Sequence, residues 1–110
     1  ARADLRQRES SIDPPRAMPY ALATDILRGA EGDVRSCRRR LPPGTPLPQW
    51  VRVRVRINPA GRVAGVEMIQ PASVASELAC CIGGALHPLR FPEPFGGEDV
   101  SVSHVFFYTR

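Results

Sequence analysis

The sequence predicts a small α+β domain in which two helices cover one face of an antiparallel three-stranded sheet. Three observations support this fold class: an alternating strand pattern near residues 50–57, two helical apolar stripes on either side of it, and a C-terminal run rich in β-forming residues. The predicted order is helix, hairpin, helix, strand. With 110 residues, the chain is long enough for one domain with a modest core.

The hairpin is the clearest local signal in the chain. Four apolar residues alternate with arginines over 51–57, as in a strand that is buried on one face only. The NPAG segment at 58–61 predicts a turn, because proline presets its backbone angle and glycine accepts a positive φ. The apolar residues of the return strand, 62–70, change parity partway, which predicts a bulge near Ala64–Gly65.

Two segments have helical periodicity. Over residues 20–41, apolar side chains recur every three or four positions, with acids early and arginines late, as the helix dipole favours. A second stripe predicts a helix that Ser73 or Ser76 caps and Pro88 limits. Both helices are expected on the valine face of the sheet.

Connection rules then predict the strand order and the domain boundaries. The natural order is return strand, first strand, final strand, which leaves the final strand as an edge that is open on its outer side. Residues 1–19 are polar and proline-rich and predict a flexible linker, so that the domain spans 20–110. This N-terminus lacks a hydrophobic signal region, which favours a piece of a longer protein.

Composition and motifs disfavour several classes of function. All fifteen basic residues are arginines, and the net charge of +4 permits nucleic-acid binding without requiring it. Arginines that alternate along a strand are typical of a solvated face, and no aromatic platform accompanies them, so we expect no nucleic-acid partner. The sequence shows no membrane span, phosphate-binding loop or paired catalytic carboxylates, and we expect no cofactor and no catalytic residue.

The three cysteines leave several interpretations open. On helical geometry, Cys37 and Cys81 both lie on apolar stripes, whereas Cys80 lies on another flank of its helix. A Cys37–Cys81 disulfide would close a loop of about 45 residues and stabilise the fold by roughly 4 kcal/mol, but two reduced, buried thiols are the alternative. A zinc site with His87 or His104, and a catalytic Cys80 beside His87, are less favoured because ligand spacing and a positioned base are missing.

Together these segments resemble the TonB C-terminal domain superfamily, most closely the AgmX/PglI-type C-terminal domain of gliding-motility and related envelope proteins. The resemblance covers about residues 20–108. It rests on the hairpin pattern I-x-P-x-G-x-V-x-x-V from Ile57 to Val66, the paired positions of Cys37 and Cys81, and the F-P-x-P-x-G-G run from Phe91 to Gly97.

The resemblance implies a non-enzymatic periplasmic module. Such a module would bind a protein or peptide partner in the cell envelope, an outer-membrane receptor or a motility complex, by adding a strand to a sheet edge. It would couple that partner to an inner-membrane motor through an anchor outside this chain. A periplasmic location also favours the disulfide. The alternative is a static assembly subunit of a motility or secretion apparatus.

The expected contact surface is the final strand, because its outer edge would be open. Its residues are Val100, Ser101, Val102, Ser103, His104, Val105, Phe106, Phe107 and Tyr108.

Overall fold

A computed structural model describes residues 10–71 and 73–108, and it confirms an α+β fold with an antiparallel sheet. The elements in chain order are β1 (Ser10–Asp13), α1 (Tyr20–Gly29), α2 (Glu31–Ser36), a 3₁₀ turn (Cys37–Arg40), β2 (Trp50–Ile57), β3 (Val63–Gln70), α3 (Ser76–Leu86) and β4 (Val100–Phe107).

The sheet has four strands in the order β1-β4-β2-β3, where the sequence predicted three. The predicted neighbours are correct, since β2 lies between β3 and β4 and pairs antiparallel with both. The additional strand is β1, which comes from the segment predicted as a linker and pairs with β4 from Ser101 to His104. The expectation that the final strand is an open edge is therefore wrong over these residues.

The hairpin has the predicted turn and the predicted bulge. The N–H of Gly61, at φ +82°, donates to the carbonyl of Asn58, and the Asn58 side chain accepts from the N–H groups of Ala60 and Arg62. The register of β2 on β3 shifts at Ala64, because Arg56 pairs with Gly65 whereas Ile57 pairs with Val63. A second shift, near Ile69, has no signal in the sequence.

The first helical segment is divided, where one continuous helix was predicted. Helices α1 and α2 meet at Ala30, whose ψ of −1° departs from helical geometry, and the 3₁₀ turn follows α2 directly. The buried face also includes Ala23 and Leu27, which were not in the predicted stripe of Ile26, Ala30, Val34, Cys37 and Leu41. The break separates two short helices that pack over β4.

Helix α3 is shorter than predicted, and no serine caps it. Its N-terminal flanking residue is Ala75, which makes no side-chain capping bond, and Ser76 is already helical. Leu78, Ile82 and Leu86 face the core. Since α3 packs against α2 and β3, the helices together cover the valine face of the sheet.

The core is one apolar cluster between the helices and that face. The inward residues of β2, namely Val51, Val53, Val55 and Ile57, are all fully buried. Its arginines point to the opposite face, where Arg54 contacts Glu67 at 3.2 Å and Arg56 contacts Asp99 at 3.7 Å. The alternation of this strand therefore marks the two faces of the sheet as predicted.

Candidate partner-binding edge

The nine residues predicted to bind a partner lie in β4 or directly after it, in the interior of the sheet. Five of them face the core and are buried: Val100, Val102, His104, Phe106 and Tyr108. The others, Ser101, Ser103, Val105 and Phe107, face the side away from the core, where Val105 is also buried. Along 101–104 the backbone of β4 pairs with β2 on one side and β1 on the other. A partner strand therefore has no access there while β1 is in place.

A buried polar contact fixes β1 in this position. The hydroxyl of Ser10 and Nδ1 of His104 form a hydrogen bond, and the two side chains are 2% and 0% exposed. Nothing in the sequence singled out Ser10. The only local signal was one apolar residue, Ile12, two positions after Ser10. A single residue is too short a pattern to predict a strand.

The environment of His104 keeps its imidazole neutral. Burial, together with the positive charges of Arg28 and Arg52, lowers the pKa of His104 to about 4. Nε2 of His104 has no hydrogen-bond partner, and Oε1 of Glu31 lies 3.9 Å from it. Ser10, His104 and Glu31 are the residue types of a hydrolase triad. The serine and the histidine are both buried, and their hydrogen bond joins β1 to β4.

The cysteines are arranged as the disulfide interpretation predicted. Cys37 and Cys81 form a disulfide between the 3₁₀ turn and α3. Cys80 is free and exposed, beside a cleft of about 630 Å³ that Asp33, Arg40 and Glu77 also line. Within the part of the chain that the structure describes, no three His, Cys, Asp or Glu side chains come together as a metal site.

β3 is the longer of the two outer strands of the sheet, with eight residues against four in β1 at the opposite edge. β3 pairs with β2 along one side, and within residues 10–71 and 73–108 its other side carries only one bridge, between Arg62 and Arg90 at its beginning. That bridge places residues 89–91 against the start of β3, with the N–H of Phe91 donating to the carbonyl of Gly61. Residues 64–70 therefore offer a strand edge of about seven residues.

Each end of this open edge has a distinctive surface. At the hairpin end, Arg62 and Arg90 lie directly opposite each other and are both exposed. At the other end, two clefts of about 550 and 470 Å³ share Pro48 and Pro71. Trp50, which is 37% exposed, and Ile69 line the first of these clefts.

No protein-family model matches the chain, and no curated protein or solved structure is detectably similar to it. None of the described helices is both long and apolar enough to cross a membrane. The class that the fold and the edge define is therefore a structural one: an α+β domain with a disulfide from the 3₁₀ turn to α3 and, among the described residues, a β3 edge that is unpaired over residues 64–70.

Proposed function

We propose that this chain is a non-enzymatic, TonB-like binding module of the cell envelope. It takes up an extended segment of a protein partner by strand addition and couples that partner to an inner-membrane motor through an anchor outside the chain. The proposal rests chiefly on one observation, the unpaired outer side of β3 over residues 64–70. The contact strand is accordingly β3 and not the final strand.

An unpaired strand edge has physical properties that suit this role. Each alternate residue of the edge presents an N–H and a C=O that lack a partner in the sheet, so an extended peptide gains several hydrogen bonds at once. The edge is also irregular, because its register shifts near Ala64 and Ile69. Bulges of this kind oppose unselective pairing of long, flat strands and favour a short, matched segment.

The location in the periplasm is supported by the disulfide. Disulfides persist in oxidising compartments and are rare in the cytosol of most organisms. Cys37 is fully buried, so the bond belongs to the core. The burial of Ser10 and His104 supports a binding role over hydrolysis.

Nuclear magnetic resonance of the labelled protein tests strand addition. Peptides from candidate outer-membrane or motility partners are titrated, and the amides of residues 64–70 are expected to shift while those of β1 do not. Two N-methylated forms of a binding peptide, with the methyl groups offset by one residue, provide the matched control. One form removes the N–H groups that face β3 and should lose binding, whereas the other should retain it.

The same edge can serve a static assembly subunit, and the oligomeric state separates the two functions. Analytical ultracentrifugation that shows concentration-dependent self-association, with shifts of the β3 amides on dilution, would favour assembly. A monomer at all concentrations whose β3 amides no peptide perturbs would contradict both.

A further inference from the structure

The two ends of the open edge of β3 differ in chemistry, and each end indicates the kind of partner side chain that it would bind. The arginine pair, defined as Arg62 and Arg90, marks the end near the hairpin. The Trp50 cleft, defined by Pro48, Trp50, Ile69 and Pro71, marks the other end.

The arginine pair is an unbalanced concentration of positive charge. Residues directly opposite each other in an antiparallel bridge place their side chains on the same face, where like charges repel. Within residues 10–71 and 73–108 neither guanidinium forms an ion pair. By contrast, Arg54 pairs with Glu67, and Arg56 pairs with Asp99. A carboxylate brought to this position would relieve the repulsion and could accept bidentate hydrogen bonds.

The arginine pair also stands in the path of an added strand. Residues 89–91 run antiparallel to the start of β3, on the side that an incoming strand would occupy. An antiparallel peptide would therefore continue the line of this segment and end beside Arg90. Its C-terminal side then meets the arginine pair, and its N-terminal side meets the Trp50 cleft.

The Trp50 cleft suits an apolar side chain. Indole and pyrrolidine rings form flat, rigid walls, and such walls bind proline and aromatic side chains at a low cost in conformational entropy. From Ala64 to Gln70 the strand advances by six residues, or roughly 20 Å. The apolar and the acidic residue of the partner would therefore be about six positions apart, an even spacing that places both side chains on one face of an extended peptide.

We infer that the partner segment is an extended peptide that lies antiparallel to β3, with a proline or aromatic residue in the Trp50 cleft and, about six residues later, a carboxylate on the arginine pair. This inference rests on the proposed function, because it needs strand addition at β3. It adds the chemistry and the direction of the partner.

Two synthetic eight-residue peptides of one composition test it. Both have β-branched residues at alternate positions; one begins with proline and phenylalanine and ends with two acids, and the other has the reverse order. The first peptide is expected to bind about tenfold more tightly by fluorescence anisotropy. The doubly substituted Arg62→Ser, Arg90→Ser protein should lose that preference, whereas Arg38→Ser, Arg39→Ser, which removes the same charge from the 3₁₀ turn, should keep it.

Each outcome decides a different claim. Equal binding of both peptides, with shifts of the β3 amides in each case, overturns the inferred partner chemistry and leaves strand addition standing. If both arginine variants lose the preference equally, the arginine pair is not the position that binds the acid, because general electrostatic attraction then explains the preference. Absence of β3 shifts with either peptide overturns the inference and counts against the proposed function itself.

The variant Trp50→Ser tests the other end of the edge. Its affinity for the first peptide is expected to fall by a similar factor, and an unchanged affinity would show that the peptide does not dock in the Trp50 cleft.

Discussion

The hydroxyl of Ser10 and Nδ1 of His104 form a buried hydrogen bond across 94 positions of sequence, and this bond holds β1 against β4. Ser10 is directly opposite His104 in the strand pairing, so the side-chain bond and the backbone ladder act on the same residues. The N-terminal strand closes the side of the final strand that its sequence suggested would be open. The two outer strands of the sheet are therefore β1 and β3.

The stability of the protein should fall as the pH decreases from about 6.5 to 4. His104 has a pKa of about 4 in the folded state, against the ordinary histidine value of 6.5, because burial and the charges of Arg28 and Arg52 oppose its protonation. The unfolded chain therefore binds more protons than the folded protein in this range. The contribution of the neutral imidazole to the free energy of unfolding, roughly 3 kcal/mol, is lost as the pH falls through the folded pKa. Glu31, at 3.9 Å, does not offset this effect. Urea denaturation at pH 7 and pH 4 measures the difference.

The matched control for this prediction is the double variant Ser10→Ala, His104→Leu. In this variant, the difference in unfolding free energy between pH 7 and pH 4 should be smaller than in the unsubstituted protein by roughly 3 kcal/mol. The surface carboxylates contribute to the remaining difference in both proteins. An identical pH dependence in both proteins would show that another group governs the acid response.

Substitution of Gly61 by alanine should destabilise the fold far more than the same change at Gly44. Both glycines have left-handed backbones, with φ of +82° and +85°. A Cβ at Gly61 would also overlap the backbone carbonyl oxygen of Phe91, whereas nothing lies within 4 Å of one at Gly44. We expect a loss of about 1 kcal/mol at Gly44 from the backbone alone and more than ~2 kcal/mol at Gly61. Equal losses in chemical denaturation would mean that the connector moves aside without cost.

Removal of the disulfide should cost about 4 kcal/mol of unfolding free energy. Cys37 and Cys81 are separated by 44 positions, and the crosslink reduces the entropy of the unfolded chain accordingly. The variant Cys37→Ala, Cys81→Ala is compared with Cys80→Ser, which should change stability by less than about 0.5 kcal/mol because Cys80 is exposed and free. Thiol titration of the unreduced, denatured protein should give one thiol; three would refute the crosslink.

Tyr108 should make the protein sensitive to alkaline pH. Its buried hydroxyl donates a hydrogen bond of 2.8 Å to the carbonyl of Val34, and burial raises the pKa of Tyr108 to about 12. The unfolded chain loses this proton near pH 10, so the contribution of the neutral phenol is complete below pH 10 and is lost as the pH rises through 12. Tyr108→Phe should lower stability by about 1 kcal/mol at pH 7 and weaken the alkaline loss. Tyr20→Phe, at an exposed position, should do neither.

Local patterns predicted the elements that are stabilised by their own sequence. The alternation over β2 identified the buried face, and the parity change in β3 located the bulge at Ala64. The turn at 58–61 followed from the backbone preferences of proline and glycine. The helical stripes placed Cys37 and Cys81 toward a shared interior, where the structure joins them.

Contacts between distant segments decided the rest. The polar sequence of β1 gives no local reason for a strand, and the pairing with β4, the bond from Ser10 to His104 and the burial of Ile12 in the core stabilise it there. The break at Ala30 is likewise set by packing, because the residues around it have helical periodicity throughout. Neither feature is encoded within a short window of sequence.

The sequence by itself determined the fold class, the hairpin, the inward placement of two cysteines and the order of three strands, because each depends on periodicity or on neighbouring elements. Only the tertiary structure decided which strands form the two edges of the sheet. That outcome depends on a four-residue strand whose hydrogen bonds are all made to residues about ninety positions away. The candidate contact strand is therefore β3, on the opposite side of the sheet from β1.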